Sequence, residues 1–495
     1  MWGIVLQRGE GSPSLARQIF QQISGSILEG TLPPDEALPS TRELAKALAV
    51  SRHTVSEAYD MLITEGYVTS RQGAATRVTE HLCLDRSRSS RPEPLVTETF
   101  HPLSSGVAAD FKTGQPDLRP FPKYVWSRLH SDAFSQLTPD LLGYSGPDGF
   151  SPLREEIADW LFRSRGLRVD PKNIFITAGA TQSLSLLADL LYRDEREFVL
   201  EDPCHTAVPT LLRNRGYAYR PAPVDEHGLM VEETGFDWDS VDISAVYVTP
   251  SHQFPLGGIL PANRRTALIR HARDNSFYII EDDYDSEFRY QGAPVTPLYA
   301  LDPERVIYVG TFSKTVFPGL RLGFSILPEA LQKGWKHLRL YADVQCPVAE
   351  QAALAEFLRT RKMDRHISRM RKLYGQRRQV LLEEVDKIFG QAVVQTWGDA
   401  SGLHLALQFA EGNFDRKFVR EAKDSGIRIS TIDKYSLTAG KHTDKLLLGY
   451  GHLEPEEIRK GVALLYDYWR RQSGIAGGKS KRDDQSFDIE KQPPN

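Results

Sequence analysis

The sequence predicts an α/β protein, a large domain built on a mostly parallel sheet behind a small helical head. Two patterns carry this. Short β-branched runs alternate with longer helical stretches from about Gly106 to Gln472, as in Ile174–Thr177, Phe198–Leu200, Ala245–Val248, Phe277–Ile280 and Val306–Val309. The first eighty residues instead show three amphipathic helical patterns, Leu15–Leu28, Ser40–Leu48 and Ser51–Glu65, followed by a β-rich end at Tyr67–Val78. At 495 residues with 40% hydrophobic and 25% charged residues, the chain is long enough for a large core and more than one domain. No apolar run is long enough to span a bilayer, and no segment repeats at a fixed period. Cys83, Cys204 and Cys346 form neither a disulfide framework nor a zinc-ligand spacing. With no signal-like N-terminus, a reduced, cytoplasmic protein without a metal is expected.

The head occupies residues 1–80. Ser40 and Glu43 make a capping box at the start of the second helix. After a short turn, Val50-Ser51-Arg52-His53-Thr54-Val55-Ser56 opens a third helix with small polar residues, which allow close approach to a DNA groove. Composition is less decisive. The head holds seven Lys+Arg against nine Asp+Glu, so a helical dimerisation module fits these residues as well as a DNA-binding one. Residues 81–105, with Arg86, Ser87, Arg88, Ser89, Ser90, Arg91, Pro92 and Pro94, read as a linker. Residues 106–472 form the large domain, and residues 473–495, rich in Gly, Lys and Asp, read as a disordered tail.

Three patches of the large domain belong together chemically. Ile174–Thr177 runs through Ala178-Gly179-Ala180-Thr181 into a helix, whose free N–H groups favour a phosphate, although such turns also serve tight packing. Phe277–Ile280 delivers Glu281-Asp282-Asp283-Tyr284-Asp285 at its carboxyl end, where open α/β sheets bind ligands. Taken alone, that cluster favours a solvated acidic loop, with a magnesium site as a further reading. Val306–Val309 leads to Gly310-Thr311-Phe312-Ser313-Lys314 and then Arg321. A lysine for a Schiff base, hydroxyls and an arginine for a phosphate, and an acid to keep a pyridine nitrogen protonated are what pyridoxal phosphate requires.

Family resemblance sharpens both halves. Leu38-Pro39-Ser40, Arg42-Glu43-Leu44-Ala45, Val50-Ser51-Arg52, Thr54-Val55, Ala58-Tyr59, Glu65-Gly66-Tyr67 and the Gly73 turn resemble the winged helix-turn-helix of GntR-type bacterial regulators. The resemblance implies DNA contacts from Arg42, Ser51, Arg52, Thr54 and the wing around Gly73, and His53, at the start of the same helix, could reach phosphates or base edges. The wing reads Gly73-Ala74-Ala75-Thr76 where the family usually has Gly-Ser-Gly-Thr. From about Phe111 to Tyr466 the chain resembles fold type I aminotransferases. This implies Lys314 as the Schiff-base lysine, Asp282 on the pyridine nitrogen and Tyr284 on the ring hydroxyl. Gly179, Ala180, Thr181, Ser313 and Arg321 would surround the phosphate, where the residues themselves also offer the Thr311 hydroxyl, and Tyr144 would reach the phosphate of a neighbouring subunit in a homodimer.

A GntR-type head on such a body is the arrangement of the MocR/GabR-type regulators, which Phe111–Asp117 and Ser251-His252-Gln253-Phe254-Pro255 also resemble. This implies an operator in double-stranded DNA and a small-molecule effector. Two positions depart from the aminotransferase pattern. Leu447 stands where amino-acid aminotransferases carry an arginine for the substrate carboxylate. Pro203-Cys204-His205 replaces Pro-Gly-Tyr, making His205 the candidate to stack on the ring, with Ala207 where a related regulator offers another arginine. The sequence therefore favours a regulator that senses pyridoxal phosphate or an amine joined to it, over a working aminotransferase or a cofactor-free dimerisation scaffold.

Overall fold

The computed structural model describes residues 3–9, 11–71, 73–82, 107–231, 236, 238 and 242–472. Nearly all of the expected linker, the expected tail and Cys83 lie outside these residues. The chain divides into two units, Met1–Pro102 and Leu103–Asn495.

In the first unit, Leu15–Leu28 is capped by the Ser14 hydroxyl, which accepts from the Arg17 amide at 3.2 Å. Ala16, Ile19, Phe20, Ile23 and Ile27 fall on one helical face and are buried. The second helix is Thr41–Leu48 and the third Arg52–Thr64. Both start one residue later than the sequence pattern predicts, because Ser40 and Ser51 stand outside as caps, each accepting from the amide three residues on. Between them Ala49 takes a left-handed φ of 53°, which turns the chain sharply enough for Leu44, Val55, Ala58, Tyr59 and Leu62 to share one core. Two short antiparallel strands, Val68–Thr69 and Arg77–Val78, close the unit. Gly73, in the turn that joins them, has φ +82°.

The second unit is built on an eight-stranded sheet. In spatial order the strands are Ile174–Thr177, Gly323–Ile326, Val306–Thr311, Tyr278–Asp283, Ile243–Val248, Glu197–Asp202, Tyr219–Asp225 and Gly228–Leu229. Five central strands are parallel, whereas Gly323–Ile326 runs antiparallel to both neighbours. Alternate residues enter different cores. Ile279, Val246 and Val306 pack on one side, and Ile280, Tyr247 and Ile307 on the other. Burial on both faces explains why these strands read as continuous apolar runs. A separate antiparallel sheet, Val394–Trp397, His404–Phe409, Lys445–Gly449 and Ser430–Thr431, has its own core, and the 28-residue helix Lys362–Phe389 contributes to both regions. No helix among the described residues is long and apolar enough to cross a membrane.

Candidate functional site

The pleat of Tyr278–Asp283 sorts its three acids, which are buried strand residues rather than a solvated loop. Glu281 lies on the side of Ile279 and accepts from the amides of Leu298 and Tyr299, both at 2.9 Å. Asp283, on that same side, accepts from the Tyr308 hydroxyl at 2.6 Å and pairs with Arg165 at 3.0 Å. Asp282 faces the other way. Its Oδ2 accepts from the Tyr247 hydroxyl at 2.8 Å, whereas Oδ1 is buried without a hydrogen-bond partner. Burial pushes the Asp282 carboxyl up to about 7, reinforced by the charges of Asp283 and Asp285, with the Tyr247 hydrogen bond and Lys314 opposing. A buried carboxylate oxygen with no donor fits a protonated ring nitrogen.

Lys314 follows the neighbouring strand. Its Nζ donates to the carbonyl of Gly114, part of the Phe111–Asp117 segment two hundred residues earlier. Burial lowers its amine below the ordinary value, while Asp285 and Asp282 oppose that effect. Gly114 has φ +69°, and a Cβ there would stand 3.2 Å from Lys314 Nζ. The glycine thus keeps the approach to the amine open.

Gly179 is the N-cap of the helix Ala180–Leu191, at φ 91°. A Cβ on Gly179 would lie 3.1 Å from Arg321 Nη2, and one on Gly323 would lie 2.9 Å from the Gly179 Cα. Two glycines therefore let backbone and guanidinium converge around the first turn, where the amides of Ala180 and Thr181 have no intrahelical acceptor. Arg321 donates through Nη2 to the Ala178 carbonyl at 2.7 Å. Thr311 donates to the Ser313 hydroxyl at 3.1 Å and accepts from the Ser313 amide at 3.2 Å. Glycine turn, helix start and guanidinium make a cradle with the donor set for a phosphate.

Tyr284 lies beside this acid pocket, its hydroxyl 3.0 Å from His252 Nδ1 and donating to the His252 carbonyl at 3.1 Å. His252 Nδ1 is also 3.1 Å from both Asp285 oxygens. The rings of His252 and His404 are 4.9 Å apart, and burial holds His404 well below the ordinary histidine value. His252, Asp285 and His404 bring potential metal-ligand atoms within 4.8 Å of one another. Nδ1 is already engaged by Asp285 and Tyr284, so Asp285 and His252 read here as a hydrogen-bond chain ending at the Tyr284 hydroxyl, while His252 Nε2 and His404 Nε2 are both buried without a hydrogen-bond partner.

His205 lies at the edge, its ring 5.3 Å from Phe254, with Nδ1 accepting from the Ala207 amide at 3.2 Å. Tyr144 is 88% exposed. Leu447 is fully buried among Phe254, Leu256, Ala406, Ile432 and Tyr435. Sequence reasoning did not single out Tyr247, Asp285 or Gly323 as site residues, and it used His252 only for family resemblance. Tyr247 was findable, since a phenol inside a buried apolar run requires a polar partner.

In the head, Ser51 and Thr54 hydroxyls are 2.8 Å apart and Ser51 accepts from the Thr54 amide at 3.1 Å, so both help to start the third helix. Arg52 Nε donates to Thr41 Oγ1 at 3.2 Å, tying the two helices together. Arg42, Arg52, His53 and Gly73 are exposed.

Comparison with known proteins matches both units. Residues 15–78 match the gntR family of bacterial regulatory proteins, and residues 109–427 match aminotransferase class I and II. The pyridoxine biosynthesis transcriptional regulator PdxR of Corynebacterium glutamicum is 36% identical, covering 92% of this chain and 96% of that protein. The probable rhizopine catabolism regulatory protein MocR of Rhizobium meliloti is 32% identical over 93% of this chain and 95% of its own length. Among solved structures, the α-aminoadipate aminotransferase LysN of Thermus thermophilus, complexed with N-(5'-phosphopyridoxyl)-L-leucine, is 25% identical with a TM-score of 0.67, covering 74% of this chain and 94% of that one. Pyrococcus horikoshii kynurenine aminotransferase gives a TM-score of 0.69 at 24% identity, covering 74% of this chain and 92% of that one. The chain belongs to the MocR-type transcriptional regulators, in which a GntR-family helix-turn-helix head is joined to an aminotransferase class I and II body that takes pyridoxal 5'-phosphate.

Proposed function

We propose that the body of this regulator acts as a sensor in the cytoplasm, reporting pyridoxal phosphate, or an amine joined to it, to the DNA-binding head. The observation that carries this is Leu447. The position that resembles the carboxylate-binding arginine is a leucine sealed in an apolar cluster, so a simple amino acid lacks its bidentate partner there. The 36% identity to a regulator of pyridoxine biosynthesis supports the cofactor itself as the signal and vitamin B6 metabolism as the controlled process.

When bound, pyridoxal phosphate supplies an aldehyde that condenses with amines and a ring that withdraws electrons. Lys314 provides the amine, and its lowered basicity leaves more free base for attack. Asp282 accepts the ring N–H through Oδ1. Tyr284, positioned by His252 and Asp285, would turn its one proton from the His252 carbonyl to the ring hydroxyl. Gly179, Ala180, Thr181, Thr311, Ser313 and Arg321 hold the phosphate, and His205 covers the ring. Exposed Tyr144 suits a homodimer in which it completes the partner's site. In the head, Arg42, Arg52, His53 and the Gly73 turn meet operator DNA. Glu57 and Asp60, also exposed on the third helix, restrict groove contact to its first turn, since carboxylates repel phosphates.

The test is the absorption of purified protein with added pyridoxal phosphate, beside Lys314→Ala, followed by operator binding with and without cofactor. A visible band of lysine-bound cofactor in wild type alone, together with cofactor-dependent operator affinity, is expected. Operator binding that ignores the cofactor refutes the sensor. A second reading, a working aminotransferase, is favoured by the candidate cofactor-facing residues Lys314, Asp282, Tyr284 and Arg321, and sustained turnover of an amino donor with a keto acid would establish it.

A further inference from the structure

A cavity of about 410 Å³ lies in the body beside the loop that follows the strand Tyr278–Asp283. Four arginines from three elements line it. Arg163 and Arg165 end the helix Ser151–Arg165, Arg289 comes from the loop after Tyr278–Asp283, and Arg371 from the helix Lys362–Phe389. Arg165 is nearly buried, its side chain 5% exposed. It pairs with Asp283 at 3.0 Å and donates to the hydroxyls of Ser251 and Ser286, yet its Nε has no acceptor. Arg163 Nε is 3.6 Å from Asp364, beyond hydrogen-bond reach, and both its Nε and Nη2 are buried without acceptors. Arg289 Nε is likewise buried and unpartnered. Arg371 donates through Nε to the Glu287 carbonyl at 2.8 Å.

Buried guanidinium N–H groups without acceptors are costly, and three arginines share that condition around one cavity. The acids do not cancel the charge. Asp283 and Asp364 offset two of the four guanidiniums, while burial, reinforced by the charge of Asp283, pushes the Glu287 carboxyl up toward its neutral form. The remaining excess suits an anion carrying two charges.

We propose that this cavity is a binding site for a phosphate monoester, separate from the cofactor cradle. A tetrahedral phosphate presents three terminal oxygens in different directions, matching donors that arrive from three elements, whereas a carboxylate presents two in one plane. The volume exceeds what inorganic phosphate fills and falls within the range of metabolite pockets. Ser286 and Glu287 on its wall are chain neighbours of Asp285, which orients His252 on the cofactor side.

The experiment is calorimetric titration of the cofactor-loaded full chain, whose cradle is already filled, with glycerol 3-phosphate and with inorganic phosphate at constant ionic strength. Saturable binding of glycerol 3-phosphate at one site per chain is expected, with the lysine-bound cofactor's absorption unchanged throughout. Arg371→Gln, at an exposed position, and Arg289→Gln should each weaken it at least tenfold while retaining the cofactor band, which shows that they fold. Tighter binding of the monoester than of phosphate supports an organic group filling the cavity, and equal binding supports recognition of the phosphate alone. The proposal falls if no saturable binding occurs, if affinity is the same in both variants, or if the ligand displaces the cofactor and removes its band.

Discussion

Replacing Asp282 by Asn tests the electrostatics of the pocket directly. The side chain keeps its size but cannot ionise. In the cofactor-free protein burial holds the wild-type carboxyl at about 7, against 3.8 ordinarily. At about 1.4 kcal/mol per pH unit, that difference is on the order of 4 kcal/mol. The sign follows from proton binding. Between pH 4 and 7 the folded protein retains a proton on Asp282 that the unfolded chain has released, so this contribution is fully present below about pH 4 and lost as pH rises through 7. Glu201 and Glu281, also raised to about 7 by burial, slope in the same direction but are present in both proteins. Denaturant unfolding of cofactor-free wild type and Asp282→Asn at pH 5 and pH 8 isolates the difference. Wild type should lose more stability than the variant across that range, by up to a few kcal/mol. Loading the cofactor should flatten the wild-type curve, because a protonated ring nitrogen stabilises the carboxylate. The variant should also bind pyridoxal phosphate about 10 to 100 times more weakly, the value of a hydrogen bond between charged groups. Identical pH slopes, or unchanged cofactor affinity, would refute the assignment.

Other substitutions probe separate parts. Tyr247→Phe removes the donor that holds the Asp282 carboxyl down, so the stability decline of cofactor-free protein should move to higher pH in the same unfolding assay. Gly179→Ala places a Cβ 3.1 Å from Arg321 Nη2 at φ +91°, a conformation costing about 1–3 kcal/mol, and should weaken cofactor binding roughly tenfold in absorption titrations. Leu447→Arg should destabilise the fold by about 3 kcal/mol or more in thermal melts, because it buries an unpaired charge, rather than create amino-acid turnover. Arg52→Ala should raise the operator Kd about tenfold and lower its salt dependence, measured by fluorescence anisotropy across salt concentrations.

The amino-acid sequence alone determined the local and the periodic features. Helix patterns in the head located its elements, with Ser40 and Ser51 shifting by one residue because a cap accepts a hydrogen bond without joining the helix. Apolar runs located the central strands because both faces of the sheet are buried. The antiparallel strand Gly323–Ile326 escaped notice, since its direction depends on the neighbours it joins rather than on its own four residues. Lys314, Asp282 and Arg321 stood out as candidates in the sequence because each sits near a strand end or in a turn whose chemistry is written locally. Tertiary structure decided which acid keeps an unpartnered oxygen, since the pleat turns Asp282 one way and Glu281 and Asp283 the other. It also decided that Gly114 reaches Lys314, that His252 joins Asp285 to Tyr284, and that four arginines meet in one cavity. Those contacts join residues from about thirty to two hundred positions apart, and only the packing of separate elements brings such residues within hydrogen-bond reach.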